Sequence, residues 1–89
     1  MNRRIKYSSQ AGLFLEKAKY SDAKKIRGLI GSLTNMVIEN TSRHYSFFDV
    51  GLYRVIFKIT PKTAFIMLIG QRTDGDMYRM LGLKPVLVS

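Results

Sequence analysis

The chain has 89 residues, 46% of them hydrophobic, no cysteine, and a formal charge of +9 from 15 Lys and Arg against 6 Asp and Glu. That length predicts one domain over 1–89, and the lack of cysteine leaves no disulfide or thiolate metal site to help a small core. The positive surplus favours nucleic acid, an anionic membrane or an acidic protein partner, and no run of about 18 apolar residues is present to span a bilayer.

In chain order, "RRIKYS" (3–8) reads as an amphipathic strand with Ile5 and Tyr7 on one parity. Ser8, Ser9 and Gln10 offer a helix start, and Ala11, Phe14, Leu15 and Ala18 recur at helical spacing through 9–19. Ser21 or Asp22 is placed to cap a second helix. Its stripe of Ile26, Leu29, Ile30, Leu33, Met36 and Val37 predicts a helix over about 22–39. Gly28 and Gly31 lie inside that helix and read either as close-packing points or as tolerated defects. Lys24, Lys25 and Arg27 fall off the stripe, as on a solvated face.

"NTSR" (40–43) reads as a turn, and "HYSFFD" and "LYRVIFKI" as strands joined at Val50-Gly51. In the second, Tyr53, Val55, Phe57 and Ile59 share one face, and Arg54, Ile56 and Lys58 the other. "TPKT" (60–63) is a proline turn. "AFIMLI" (64–69) is apolar on both parities, as in a strand inside the sheet and covered on both faces or nearly so. The order predicts an α+β domain: an N-terminal strand, a two-helix hairpin, then a three-strand antiparallel meander, with the helices on one face of an antiparallel sheet. The basic N-terminus lacks the apolar core of a signal peptide, so the expectation is a soluble, cytoplasmic protein.

The polar residues suggest a site. Arg54 and Lys58 project together from one strand, and Arg72 has a parity that brings it to the same side. With Tyr78 nearby, such a face suits phosphate oxygens and a stacked base, although the same residues also read as ordinary outward positions. Phe47 and Phe48 are adjacent, so one is core and the other is free to contact a base or a partner. His44 reads as a general base or as a plain surface histidine. Asp74 and Asp76 around Gly75 read first as turn residues and second as an acid–base or metal pair. No Walker loop, Rossmann glycine pattern, serine elbow or Cys/His metal spacing is present.

Three stretches together resemble the RelE/ParE superfamily of toxins from toxin–antitoxin pairs. "IKYSSQAGLFLEKAKYSDAKKIRGLIGSL" is similar to the family's opening strand and helical hairpin. "VGLYRVIFKI" looks like its "VGDYR" turn and strand, with Leu52 in place of Asp. "IGQRTDGDMYRML" resembles its closing segment. The resemblance spans roughly residues 4–82. It implies a RelE-like mRNA endonuclease working in the ribosomal A site without metal or cofactor. The mRNA 2′-OH attacks the adjacent phosphate, and an acidic cognate antitoxin silences the protein. Carried over by position, Arg54 and Arg72 stabilise the phosphate charge and Tyr78 stacks on or orients the nucleotide; the reading of the residues themselves adds Lys58 and Phe47 as RNA-binding. The chain departs from the pattern where many RelE nucleases carry two alternating basic residues before the "VG" turn: here the positions hold Phe47 and Asp49. Asp49 or His44 then stands as the base. The departure also keeps open a ParE-like inhibitor of DNA gyrase and a noncatalytic RNA- or protein-binding member of the fold.

Overall fold

The computed structural model describes residues 3–35 and 45–73. The elements run β1 (Arg4–Tyr7), α1 (Ser9–Lys17), α2 (Tyr20–Gly31), a 3-10 turn (Ser32–Thr34), β2 (Ser46–Val50), β3 (Tyr53–Ile59) and β4 (Thr63–Gln71). They form the expected α+β arrangement of a strand, a helical hairpin and a meander. The expected turn at 40–43, together with Met36, Val37, His44 and Tyr78, lies outside the described residues.

α1 starts at Ser8, whose side chain accepts from the Ala11 backbone N–H at 3.1 Å and so satisfies one of the helix's free donors. It stops at Lys17, because Ala18 turns extended, at φ −69° and ψ 156°. α2 begins two residues earlier than expected. Its N-cap is Lys19, without a side-chain cap, so Ser21 and Asp22 lie in the first turn rather than before it. Asp22 there faces the positive helix end and accepts from the Tyr53 hydroxyl at 3.3 Å. The α-helix also ends early, at Gly31. The Ser32 hydroxyl donates to the Leu29 carbonyl at 2.6 Å and that of Thr34 to Gly31 at 2.8 Å. These hydroxyls take carbonyls near the helix end, where the winding tightens to 3-10.

The sheet order is β1-β4-β3-β2. The meander pairs are antiparallel, as expected, but β1 lies parallel to β4, so the sheet is mixed rather than wholly antiparallel. Arg3 ties this edge down: its Nε donates to Thr60 O at 2.8 Å and its Nη1 to Leu33 O at 3.2 Å. The β2–β3 hairpin turns on Gly51 and Leu52, with Gly51 at φ +58°, a left-handed value that side chains rarely adopt.

One core lies between the helices and the sheet. Ala11, Leu15, Ala23, Ile26, Ile30 and Leu33 meet Val55, Phe57, Ile59, Ala64, Ile66 and Ile69. Leu29, expected in the stripe, is 45% exposed instead, while Lys24, Lys25 and Arg27 are exposed as expected. An added Cβ at Gly28 or Gly31 would meet nothing within 4 Å, so close packing does not require either glycine.

β4 carries one irregularity. Ile56 pairs with Leu68 and Phe57 with Ile66, which leaves Met67 as an extra residue in a bulge. The Ser8 hydroxyl donates to the Met67 carbonyl at 2.6 Å, and the Ser8 N–H to Ile66 O at 2.9 Å. Two residues on, the Gln10 side chain donates to Ile69 O at 2.8 Å and accepts from Ile69 N–H at 3.0 Å. Among the described residues no helix is long and apolar enough to cross a membrane.

Candidate nucleic-acid interface

The sheet face turned away from the helices is assembled by register. Asp49 lies opposite Arg54, which lies opposite Gly70; Phe47 lies opposite Ile56, which lies opposite Leu68. Lys58 lies opposite Phe65, and Phe65 opposite Lys6 on β1. Directly paired residues share a face, so Phe47, Asp49, Arg54, Lys58, Phe65 and Lys6 belong to one surface. Ile56 and Leu68 form a small apolar centre there with Tyr45 against it. Phe47 and Phe65 are 47% and 37% exposed, so rings and cations alternate across this face. The Lys6 ammonium lies 5.6 Å from the Phe65 ring centroid, a cation–π contact.

Arg54 is the most constrained cation on it. Its Nε donates to Asp49 Oδ1 at 2.8 Å and its Nη2 to Oδ2 at 3.2 Å, a two-point pair. Its guanidinium carbon sits 4.0 Å from the centroid of the Phe47 ring. The side chains of Arg54 and Asp49 keep 16% and 31% of their exposure. The hydrogen bonds from Arg54 hold the Asp49 carboxyl below its ordinary value. The charges of Arg54 and Arg72 act in the same direction, and partial desolvation opposes them.

Arg72 follows β4 in an exposed turn. Its backbone N–H donates to Leu52 O at 2.9 Å, which fixes the end of β4 to the β2–β3 turn. Its charge is felt at Asp49.

The structure therefore brings Arg54, Lys58, Phe47 and Asp49 onto one face and places Arg72 within electrostatic reach of it. Phe48 is the core member of its pair, packed on Phe57 at 5.7 Å between centroids, and Phe47 is the outward one. His44, Tyr78, Asp74 and Asp76 fall outside the described residues. The sequence reading missed the Asp49–Arg54 pair. A two-residue turn at Gly51-Leu52 sets Val50 against Tyr53 and hence Asp49 against Arg54, so the signal was present in the spacing. Lys6 was also missed, because it reaches this face only through the parallel pairing of β1.

On the helix side, a groove of about 500 Å³ runs between α1 and Tyr53, lined by Gln10, Leu13, Phe14, Lys17 and Lys19 among others. Tyr53 meets Phe14 edge-on there, at 5.5 Å. Arg54 points the other way, so the groove and the cationic face are separate surfaces.

No family model matches the sequence, and no curated protein sequence matches it. Three chains of solved structures do match. One is a mutant of the E. coli toxin RelE in complex with an antitoxin RelBc peptide: TM-score 0.59, 14% identity, 98% of this chain and 100% of that chain. Another is a chain of the E. coli DinJ–YafQ toxin–antitoxin complex: TM-score 0.53, 18% identity, 80% of this chain and 93% of that chain. The chain has the fold of these toxins, with the RelE-like order of strand, helical hairpin and meander.

Proposed function

We propose that this protein is the toxin of a toxin–antitoxin pair and a RelE-like, ribosome-dependent mRNA endonuclease of the cytoplasm. The observation that carries the reading is the fixed Arg54 guanidinium on the same sheet face as Lys58, on a fold shared with the RelE and YafQ toxin structures.

The chemistry needs no metal or cofactor. The 2′-OH of one nucleotide attacks the adjacent phosphorus, the bond to the 5′-oxygen of the next nucleotide breaks, and a cyclic phosphate remains. Arg54 and Arg72 stabilise the charge that builds on the phosphate oxygens. Lys58 and the exposed Phe65 ring hold the strand, and Tyr78 stacks on or orients the nucleotide. His44 is the base in this scheme, because both Asp49 oxygens already accept from Arg54. The 5′-oxygen leaves with a proton from solvent or from the protonated base.

An acidic antitoxin partner suits a chain of charge +9. Co-expression with the product of an adjacent reading frame should yield a complex whose affinity falls as salt rises. Induced expression followed by mapping of mRNA 5′ ends tests the nuclease. New ends inside translated frames support it, and intact message under growth arrest removes it. A ParE-like gyrase inhibitor is the second reading, favoured by Phe47 and Asp49 standing where basic residues are common in RelE nucleases. Inhibition of supercoiling with message intact would select it.

A further inference from the structure

Phe47 and Asp49 lie two apart on β2 and both project beside Arg54. A guanidinium is planar. Asp49 holds it along one edge through Nε and Nη2, and the Phe47 ring, 4.0 Å from the guanidinium carbon, also contacts it. Two contacts from different groups restrict the rotations that a long arginine side chain otherwise samples. The next strand offers Gly70 opposite Arg54, with no side chain to compete for the place.

We infer that Phe47 and Asp49 are positioning residues, a cradle that fixes the plane of the Arg54 guanidinium for a phosphate of an RNA strand bound at this face. The inference rests on the nuclease reading and gives these two side chains a role that neither base stacking nor proton transfer describes. The Arg54 guanidinium packs against the Phe47 ring, where a stacked base would have to compete with it. A proton-accepting Asp49 would have to release Arg54 first, since each of its oxygens accepts from the guanidinium. An aspartate on a cationic face lowers the local attraction for RNA. The cradle supplies the compensation, because the arginine is ordered before RNA arrives and its freedom is not lost on binding. Lys58 lies on the same face of β3 and adds a second cationic side chain there.

The test joins a spectroscopic readout to a double-mutant cycle on the full chain. The Arg54 Nε–H resonance is followed by nitrogen-edited NMR in wild type, Asp49→Ala, Asp49→Asn and Phe47→Leu, with circular dichroism to verify folding. Slow solvent exchange is expected in wild type and fast exchange in Asp49→Ala. Asp49→Asn should fall between, because its amide oxygen still accepts from Nε. Binding and cleavage of a short single-stranded RNA are then measured for wild type, Asp49→Ala, Asp49→Asn, Arg54→Ala and the Asp49→Ala/Arg54→Ala double variant, with ribosomes present for cleavage. Asp49→Ala alone should lower them about 10-fold, yet have little further effect once Arg54 is gone, as expected when one residue acts through another. Equal exchange in wild type and Asp49→Ala overturns the cradle. So does an Asp49→Ala loss that persists in full without Arg54, or an Asn variant as inactive as the Ala variant, which marks a base. If wild type neither binds nor cleaves RNA, the nuclease reading fails alone, and the Arg54 resonance still decides whether the cradle exists.

Discussion

The Ser8 hydroxyl serves two elements at once: it accepts from the Ala11 N–H at the start of α1 and donates to the Met67 carbonyl in the β4 bulge. Removing it costs both contacts. Ser8→Ala should destabilise the fold by about 1–3 kcal/mol, from a lost N-cap and a carbonyl left short of a donor. Urea titration reads this as a lower midpoint with an unchanged slope. A midpoint equal to wild type would show that neither contact matters to stability.

Gly28 should behave in the opposite way. It sits inside α2, and a Cβ there would meet nothing within 4 Å. Gly28→Ala should therefore stabilise the protein by up to about 1 kcal/mol, by restricting the unfolded chain and raising helix propensity. Thermal melting should rise by several degrees, about 4–8 °C per kcal/mol for a domain of this size.

Arg72 is exposed, and its contact with the hairpin turn is made by its backbone N–H. Arg72→Ala should thus keep the fold while lowering message cleavage by roughly 100-fold, the scale of losing a charge donor to the transition state. Arg72→Lys should restore part of the loss, since the charge returns without the two-point geometry. A folded Ala variant with undiminished cleavage would take Arg72 out of the site.

The Asp49–Arg54 pair predicts a pH signature. Because the folded carboxyl titrates below its ordinary value, its contribution to stability is present above the unfolded value of about 3.9. That contribution disappears as pH falls through the lower folded value. Wild type should melt above Asp49→Asn at pH 6, and the gap should close towards pH 3 and below. A gap that stays constant across that range would assign the effect to packing instead of charge.

Much of this fold was legible because burial imposes a period. Tyr53, Val55, Phe57 and Ile59 read as one face of a strand, and all four side with the core. Arg54 and Lys58 followed from the same alternation. The end of α2 was not legible from the stripe alone. Apolar spacing continued to Val37, while the Ser32 and Thr34 hydroxyls and two glycines worked against the helix. The direction of β1 was hidden too, since alternation reports which side a residue faces and not which way its neighbour runs. The Phe47 and Asp49 positions were seen as a departure, but their shared contact with Arg54 needed the hairpin register.

The extra residue at Met67 acts as a phase shift written into β4. Before it, Ala64 and Ile66 face the core; after it, Ile69 does, and Leu68 and Gly70 face outwards opposite Ile56 and Arg54. Were the strand regular, Leu68 and Gly70 would point inwards and Ile69 would lie in the open, beside the arginine. A single surplus residue thus keeps an isoleucine off the cationic surface and leaves a glycine opposite the guanidinium. An insertion along 64–69 therefore differs in kind from a substitution there: a substitution alters one contact, whereas one further residue exchanges the two faces of the strand's far half, and deletion of Met67 itself would remove the bulge and keep the faces as they are.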